Sequence, residues 1–195
     1  MPTGVALQDP RQQLFEAALR VLVREGVTGL TSRAVTAEAG VAKGVLHRHF
    51  ADFDAFLTEL VLDRIARVRI LATDLVDAAG TGDVADNLTR ALLVLFDPVM
   101  TAIVVLIIAR DELRARLRAA GTARFPLVGE GTAMVAGYLR AERDRSRIAP
   151  DADIDALAPT LIGAAHLLFT EQTGGAPPPG SVRRVVVTVL GGAAR

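Results

Sequence analysis

The sequence predicts an all-α protein, and three observations carry that expectation. Apolar residues recur at helical spacing from Arg11 almost to the last residues. The Val-rich stretches fall inside that same period instead of alternating, so none reads as a strand. Between Thr31 and Phe50, two short helical segments flank Gly40-Val41-Ala42, which has the proportions of a helix-turn-helix.

Residues 1–10 show no period and are expected to form a flexible tail. From Arg11 to Glu25, the residues Phe15, Ala18, Leu19, Leu22 and Val23 form an apolar stripe, and Gly26 suits a C-terminal cap. Thr31 is the natural N-cap of a second helix, with Leu30 and Val35 spaced as a hydrophobic staple and Gly40 as its end. A third helix fits Lys43 to Phe50. A long fourth begins at Asp52 or Asp54 and turns Phe53, Phe56, Leu57, Leu60, Val61, Val68, Leu71 and Leu75 inward, until Gly80-Thr81-Gly82 stops it. Further helices fit Val84–Phe96, Val99–Arg110 and Pro126–Arg145. The charged piece Asp111–Ala119 reads as a solvated helix with Glu112 and Arg116 four apart. Another helix runs from Ile154 to Phe169, where Pro159 must lie near the start or kink it. Gly174 to Gly180, with three prolines, reads as a stiff connector to a last helix bearing Val182, Val185, Val186, Val189 and Leu190. The expected plan is about nine helices, in a three-helix domain at 11–51 and a larger helical domain at 52–195.

Composition narrows the function. The 195 residues are 51% hydrophobic and 23% charged, enough for a substantial core. The absence of cysteine excludes a disulfide scaffold, cysteine-based zinc sites and thiol catalysis, and suits a reducing cytoplasm, where the protein is expected to reside. No basic region followed by an apolar stretch opens the chain, so no secretory signal is expected. The most apolar segment, Val99 to Ala109, falls short of the ~20 residues that span a bilayer, so no membrane partner is expected either. Neither His-Glu-x-x-His, nor Gly-x-Ser-x-Gly, nor a phosphate-cradling loop after a strand is present. Three histidines and no cysteine leave few groups that titrate near neutral pH. The sequence therefore predicts neither enzyme activity nor a cofactor. A metal is not expected, because His47 and His49, two apart on a helix, point in different directions.

The segment that carries chemistry is the helix-turn-helix. Formal net charge is zero, yet every basic residue is arginine except Lys43, which lies at the start of the third helix. Gly40 can take the positive φ of a sharp turn, and Gly44 removes a side chain where a backbone must approach phosphate or base edges. Lys43, His47, Arg48 and His49 offer donors to phosphate oxygens and guanine acceptors, with Val45 between them. Leu46 and Phe50, four apart, face back onto the first two helices. Thr31, Ser32 and Arg33 open the second helix, whose free amides suit a phosphate.

The run Leu14-Phe15-Glu16-Ala17-Ala18, then Glu25-Gly26, Thr31, Ala39-Gly40-Val41, Lys43-Gly44-Val45-Leu46 and His49-Phe50, resembles the DNA-binding domain of TetR-family repressors over about residues 11–57. Outside that block the resemblance is one of layout, a larger helical domain ending in two apolar helices. It implies a homodimer that binds a palindromic double-stranded DNA operator and releases it when a small-molecule inducer enters the larger domain. Candidate pocket residues are Phe96, Met100, Phe125, Met134, Tyr138 and His166. Candidate interface residues are Leu161, Ala165, Leu168 and Phe169 with Val182, Val185, Val186 and Val189. Gly163 and Ala164, beside Ala165, would permit close helix packing.

Three positions depart from the family pattern. Ala42 stands where Ser or Thr usually caps the reading helix, which costs ~1 kcal/mol. His47 replaces a tyrosine, and Phe53 replaces a lysine at the start of the fourth helix. Fewer phosphate contacts and a shallower salt dependence are expected. The alternative is a helical interaction module whose helix-turn-helix no longer reads DNA.

Overall fold

The computed structural model describes residues 9–171, 176–191 and 193. Among them lie ten α-helices: α1 Pro10–Gly29, α2 Ser32–Glu38, α3 Gly44–His49, α4 Phe53–Asp77, α5 Val84–Leu95, α6 Pro98–Ala109, α7 Asp111–Ala119, α8 Val128–Asp144, α9 Ile154–Thr170 and α10 Pro179–Leu190. The all-α expectation holds. The charged piece is a full helix, α7, separated from α6 by the extended Arg110 (φ −122°, ψ 106°), which brings the about nine expected to ten. Residues 1–8 of the expected tail and residues 174–175 of the expected connector lie outside the described residues. Asp9 and Pro10 already belong to the start of α1, where the Asp9 carboxylate accepts the Arg11 amide at 3.0 Å.

The chain forms two units. One contains the described residues up to Leu62 together with Ala102–Gly121, and the other contains Asp63–Thr101 and the described residues from Thr122 onward. The boundary expected at 51/52 thus lies inside the first unit, which continues into α4 and takes in a later stretch of chain.

In the first unit α1 buries Leu14, Phe15, Ala18, Leu19 and Leu22. Val23 is 47% exposed, one position beyond the stripe's edge. Gly26, at φ +71°, breaks the helix where the sequence expects its cap. Phe15, Phe50 and Phe56 pack together with ring centroids 5.0–5.8 Å apart, which seats α3 against α1 and the start of α4. Thr31 caps α2 through a hydrogen bond from the Ala34 amide at 3.2 Å. At the end of α2 the Val41 amide donates to Thr36 O (3.0 Å) and the Gly40 amide to Ala37 O (3.1 Å), a Schellman closure with Gly40 at φ +66°. The hydrogen-bond pattern of the turn therefore requires the glycine. The later stretch is held by ion pairs: Arg116 reaches both oxygens of Asp52 at 2.9 and 3.0 Å, and Arg110 reaches Asp54 at 3.0 Å. The charged run is accordingly a clamp on the start of α4, although its Glu112–Arg116 pair forms as the spacing predicts, at 2.9 Å.

In the second unit α5 packs on α10, α8 on α9, and α9 on α10. Gly131 lets α8 approach α5 closely, since a Cβ there would lie 2.9 Å from a Leu95 methyl. Behind this contact is a buried polar cluster. Glu142 is fully buried; its carboxylate accepts the Tyr138 hydroxyl at 2.5 Å and the Gly80 amide at 3.1 Å, with Arg147 3.6 Å away. The Asn87 side-chain amide donates to the Tyr138 oxygen and to Thr81 O, both at 2.9 Å. The loop after α4 is thereby tied to the end of α8.

Candidate DNA-reading surface and ligand cleft

The surface that the sequence marks for DNA is built around α3. Leu46 and Phe50 are buried and turn the opposite face outward, so Lys43, Gly44, His47 and Arg48 are exposed while Val45 and His49 are half-buried. Thr31 and Arg33 are exposed at the start of α2, with Ser32 half-buried. The N-cap of α3 is Lys43, one residue after the Ala42 that the sequence marks, and no side chain caps the helix. Phe53 stacks on Phe56 at 5.7 Å and lies under the Arg110 guanidinium at 5.5 Å, so its ring serves the first unit's packing.

The charges in this unit fall into two sets. Arg11, Arg20, Arg24, Arg110, Arg114 and Arg116 are held in ion pairs. Among the described residues, Arg33, Lys43, Arg48 and Arg118 have no carboxylate partner; the first three lie on the elements the sequence marks for DNA and Arg118 on α7. A Cβ built on Gly44 meets nothing within 4 Å, so packing within the protein does not require a glycine there. Gly44→Ala is therefore expected to leave the melting temperature unchanged or slightly raised, because alanine is the better helix former by about 0.5–1 kcal/mol. If the missing side chain makes room for a DNA backbone, the same variant loses affinity in a duplex titration.

The residues expected to line a pocket are dispersed. Phe125 is 65% exposed, with Arg124 over its ring at 5.6 Å. Phe96 packs on Phe169 (5.2 Å) and His166 (6.1 Å), and Met100 is half-buried. Tyr138 is fully buried with its hydroxyl engaged by Glu142 and Asn87; burial, and the hydrogen bond to Glu142, push its ionisation above the usual tyrosine range. Only Met134 borders the cleft that the second unit contains, a cavity of about 430 Å³ between α4 and α8. Its other walls are Val68, Arg69 and Ala72 of α4, with Ala123, Gly129, Glu130 and Ala133. The sequence hides these residues: small side chains on α8 look like economical packing, and Arg69 resembles Arg64 and Arg67 before it.

Of the residues expected at a dimer interface, Leu161, Ala165, Val182 and Val186 are fully buried within the single chain and Phe169 nearly so, while Leu168, Val185 and Val189 are half-buried. Beside them Leu167 (62% exposed) and Val187 (45%) point outward on α9 and α10, and Gly163 is exposed. Leu167 and Val187 are the positions the sequence stripe omits, since they fall on the far side of each helix.

Comparison with known proteins places this architecture. Residues 14–60 match the family "Bacterial regulatory proteins, tetR family". The HTH-type transcriptional regulator PksA of Bacillus subtilis (strain 168) is 32% identical over 76 residues, which span 37% of this chain and 37% of PksA. The fatty acid degradation regulator FadR from Bacillus halodurans has the same fold, with a TM-score of 0.72 at 16% identity over 96% of this chain and 98% of that one. A transcriptional regulator (TerR/AcrR family) from Aquifex aeolicus VF5 gives a TM-score of 0.67 at 12% identity over 93% and 98% of the two chains. The helix-turn-helix segment is thus similar to that of tetR-family regulatory proteins, and the whole chain shares the fold of these solved regulators.

Proposed function

We propose that the protein is a homodimeric DNA-binding regulator, a repressor that leaves a palindromic operator when a small, largely apolar molecule enters its larger helical domain. Residues 11–51 read the DNA, and the remainder carries ligand binding and dimerisation. The observation that carries this reading is that three cations without carboxylate partners, Lys43, Arg48 and Arg33, lie exposed together on α2 and at α3. Cations that the fold does not pair are available to phosphates and guanine edges. Two copies would set their reading helices one helical turn of DNA apart, about 34–36 Å, so that each entered a successive major groove. A ligand that favours another spacing shifts the population away from the bound form.

The test is a fluorescence-anisotropy titration of duplex from upstream of the protein's own gene, against an unrelated duplex, at several salt concentrations. Selective binding that weakens with salt, by about 0.9 in log–log slope per phosphate neutralised, supports the regulator. Equal or absent binding to both duplexes at low salt favours the interaction module, with Ala42, His47 and Phe53 as its cause. Dimerisation has its own check. Leu167→Asp and Val187→Asp place a charge on the exposed α9–α10 face, and each is expected to shift sedimentation toward the monomer without loss of helical circular dichroism.

A further inference from the structure

We infer that the cleft between α4 and α8 takes an amphipathic monocarboxylate, with Arg69 as the partner of its anionic head; the inference deepens the regulator reading and rests on it. The cavity of about 430 Å³ lies within the ~300–1,000 Å³ usual for small-molecule sites. Val68, Ala72, Ala133 and Met134 present methyl and thioether surface to it, and methionine adapts its shape to an apolar chain. Arg69 is the only cation on these walls. Its neighbours Arg64 and Arg67 both bond Asp63, at 3.1 Å, whereas Arg69 has no carboxylate partner among the described residues. A guanidinium so placed matches a carboxylate in a planar, two-pronged pair.

Glu130 limits the ligand to one negative charge. One of its oxygens accepts the Leu127 amide at 2.6 Å, which fixes the side chain at the start of α8. Leu127 itself sits at φ +70°, a conformation that leucine adopts only under constraint, so this hydrogen bond is part of what holds the cleft's rim. A second anionic group on the ligand would face that carboxylate across an apolar space and be repelled.

The experiment is isothermal titration calorimetry of the full chain with decanoate, and with 1-decanol and decylamine, which keep the chain and change the head. Decanoate is expected to bind at least about tenfold more tightly than either, and Arg69→Gln to remove that preference while leaving decanol unaffected. Glu130→Gln keeps an oxygen for the Leu127 amide and removes the charge, so it is expected to tighten decanoate. Decanol binding as well as decanoate, Arg69→Gln holding decanoate as well as the parent, or no heat with decanoate overturns the assignment. Arg69 is exposed and makes no internal pair, so the variant's thermal melt is expected to match the parent's. Duplex affinity of the parent without ligand decides the regulator reading separately, and the calorimetry uses no DNA.

Discussion

Replacing Lys43 and Arg48 with alanine is expected to cut operator affinity by at least about tenfold for each residue, while the fold stays intact. The size follows from the roles available to an exposed cation on a reading helix. A contact to a base edge is worth about 1–3 kcal/mol, and a phosphate contact contributes about 0.9 to the slope of log affinity against log salt. The two roles separate in one experiment. If Lys43 meets phosphate, Lys43→Ala weakens all duplexes alike and flattens the salt dependence. If Arg48 meets a base edge, Arg48→Ala also relaxes preference at one operator position. Neither residue is buried or ion-paired among the described residues, so circular dichroism and melting temperature are expected to hold. Unchanged affinity in the double variant would remove α3 from the reading surface.

Glu142→Ala is expected to cost the largest stability of any single polar-to-apolar change in the second unit, about 3 kcal/mol. The truncation strips both the Gly80 amide and the Tyr138 hydroxyl of their acceptor, and it leaves Arg147 without its nearest carboxylate. For a chain of this size that corresponds to roughly 6–12 °C in melting temperature, read by circular dichroism at 222 nm. Glu142→Gln keeps the side chain's shape and one acceptor, so a smaller loss is expected. A loss equal to alanine's would mean that charge, more than hydrogen bonding, holds the cluster. The same cluster sets an alkaline limit. Because burial and Glu142 raise the Tyr138 ionisation in the fold, the neutral phenol's contribution is complete below pH ~10, where free tyrosine titrates. It declines as the pH climbs past that value. Tyr138→Phe is therefore expected to flatten the fall in stability between about pH 10 and 11, in a series of calorimetric melts.

Much of the fold was legible because its signals are local. Thr31, Gly40 and the Leu46–Phe50 pair act within a turn or two of chain, and each takes the role its residue type dictates. The exposed cations of α3 were legible for the same reason, since burying Leu46 and Phe50 leaves Lys43, His47 and Arg48 outside. What the sequence concealed depends on residues far apart. Arg110 and Arg116 read as a solvated run because nothing nearby in sequence announces Asp52 and Asp54, more than fifty residues away. Tyr138 reads as a pocket aromatic until Glu142 and Asn87 close around its hydroxyl. On α9 and α10, periodicity shows that a helix has an apolar stripe but not whether its own chain or a second copy covers it. Leu167 and Val187 were therefore missed while Leu161 and Val186 were named.

The clamp between α7 and the start of α4 also affects how the protein is made. On the ribosome, α1 to α3 and the start of α4 emerge first, but the arginines that meet Asp52 and Asp54 lie in a stretch ending at Gly121. At about 5–20 residues per second the delay from Leu62 to Gly121 is roughly 3–12 s. Through that interval the nascent helix-turn-helix lacks the arginine partners of Asp52 and Asp54 and the buried Leu113 and Leu117. The reading head matures only after the intervening segment has been translated. A graft of residues 9–62 onto another protein inherits that incompleteness, and α7, or neutral residues at 52 and 54, must travel with it.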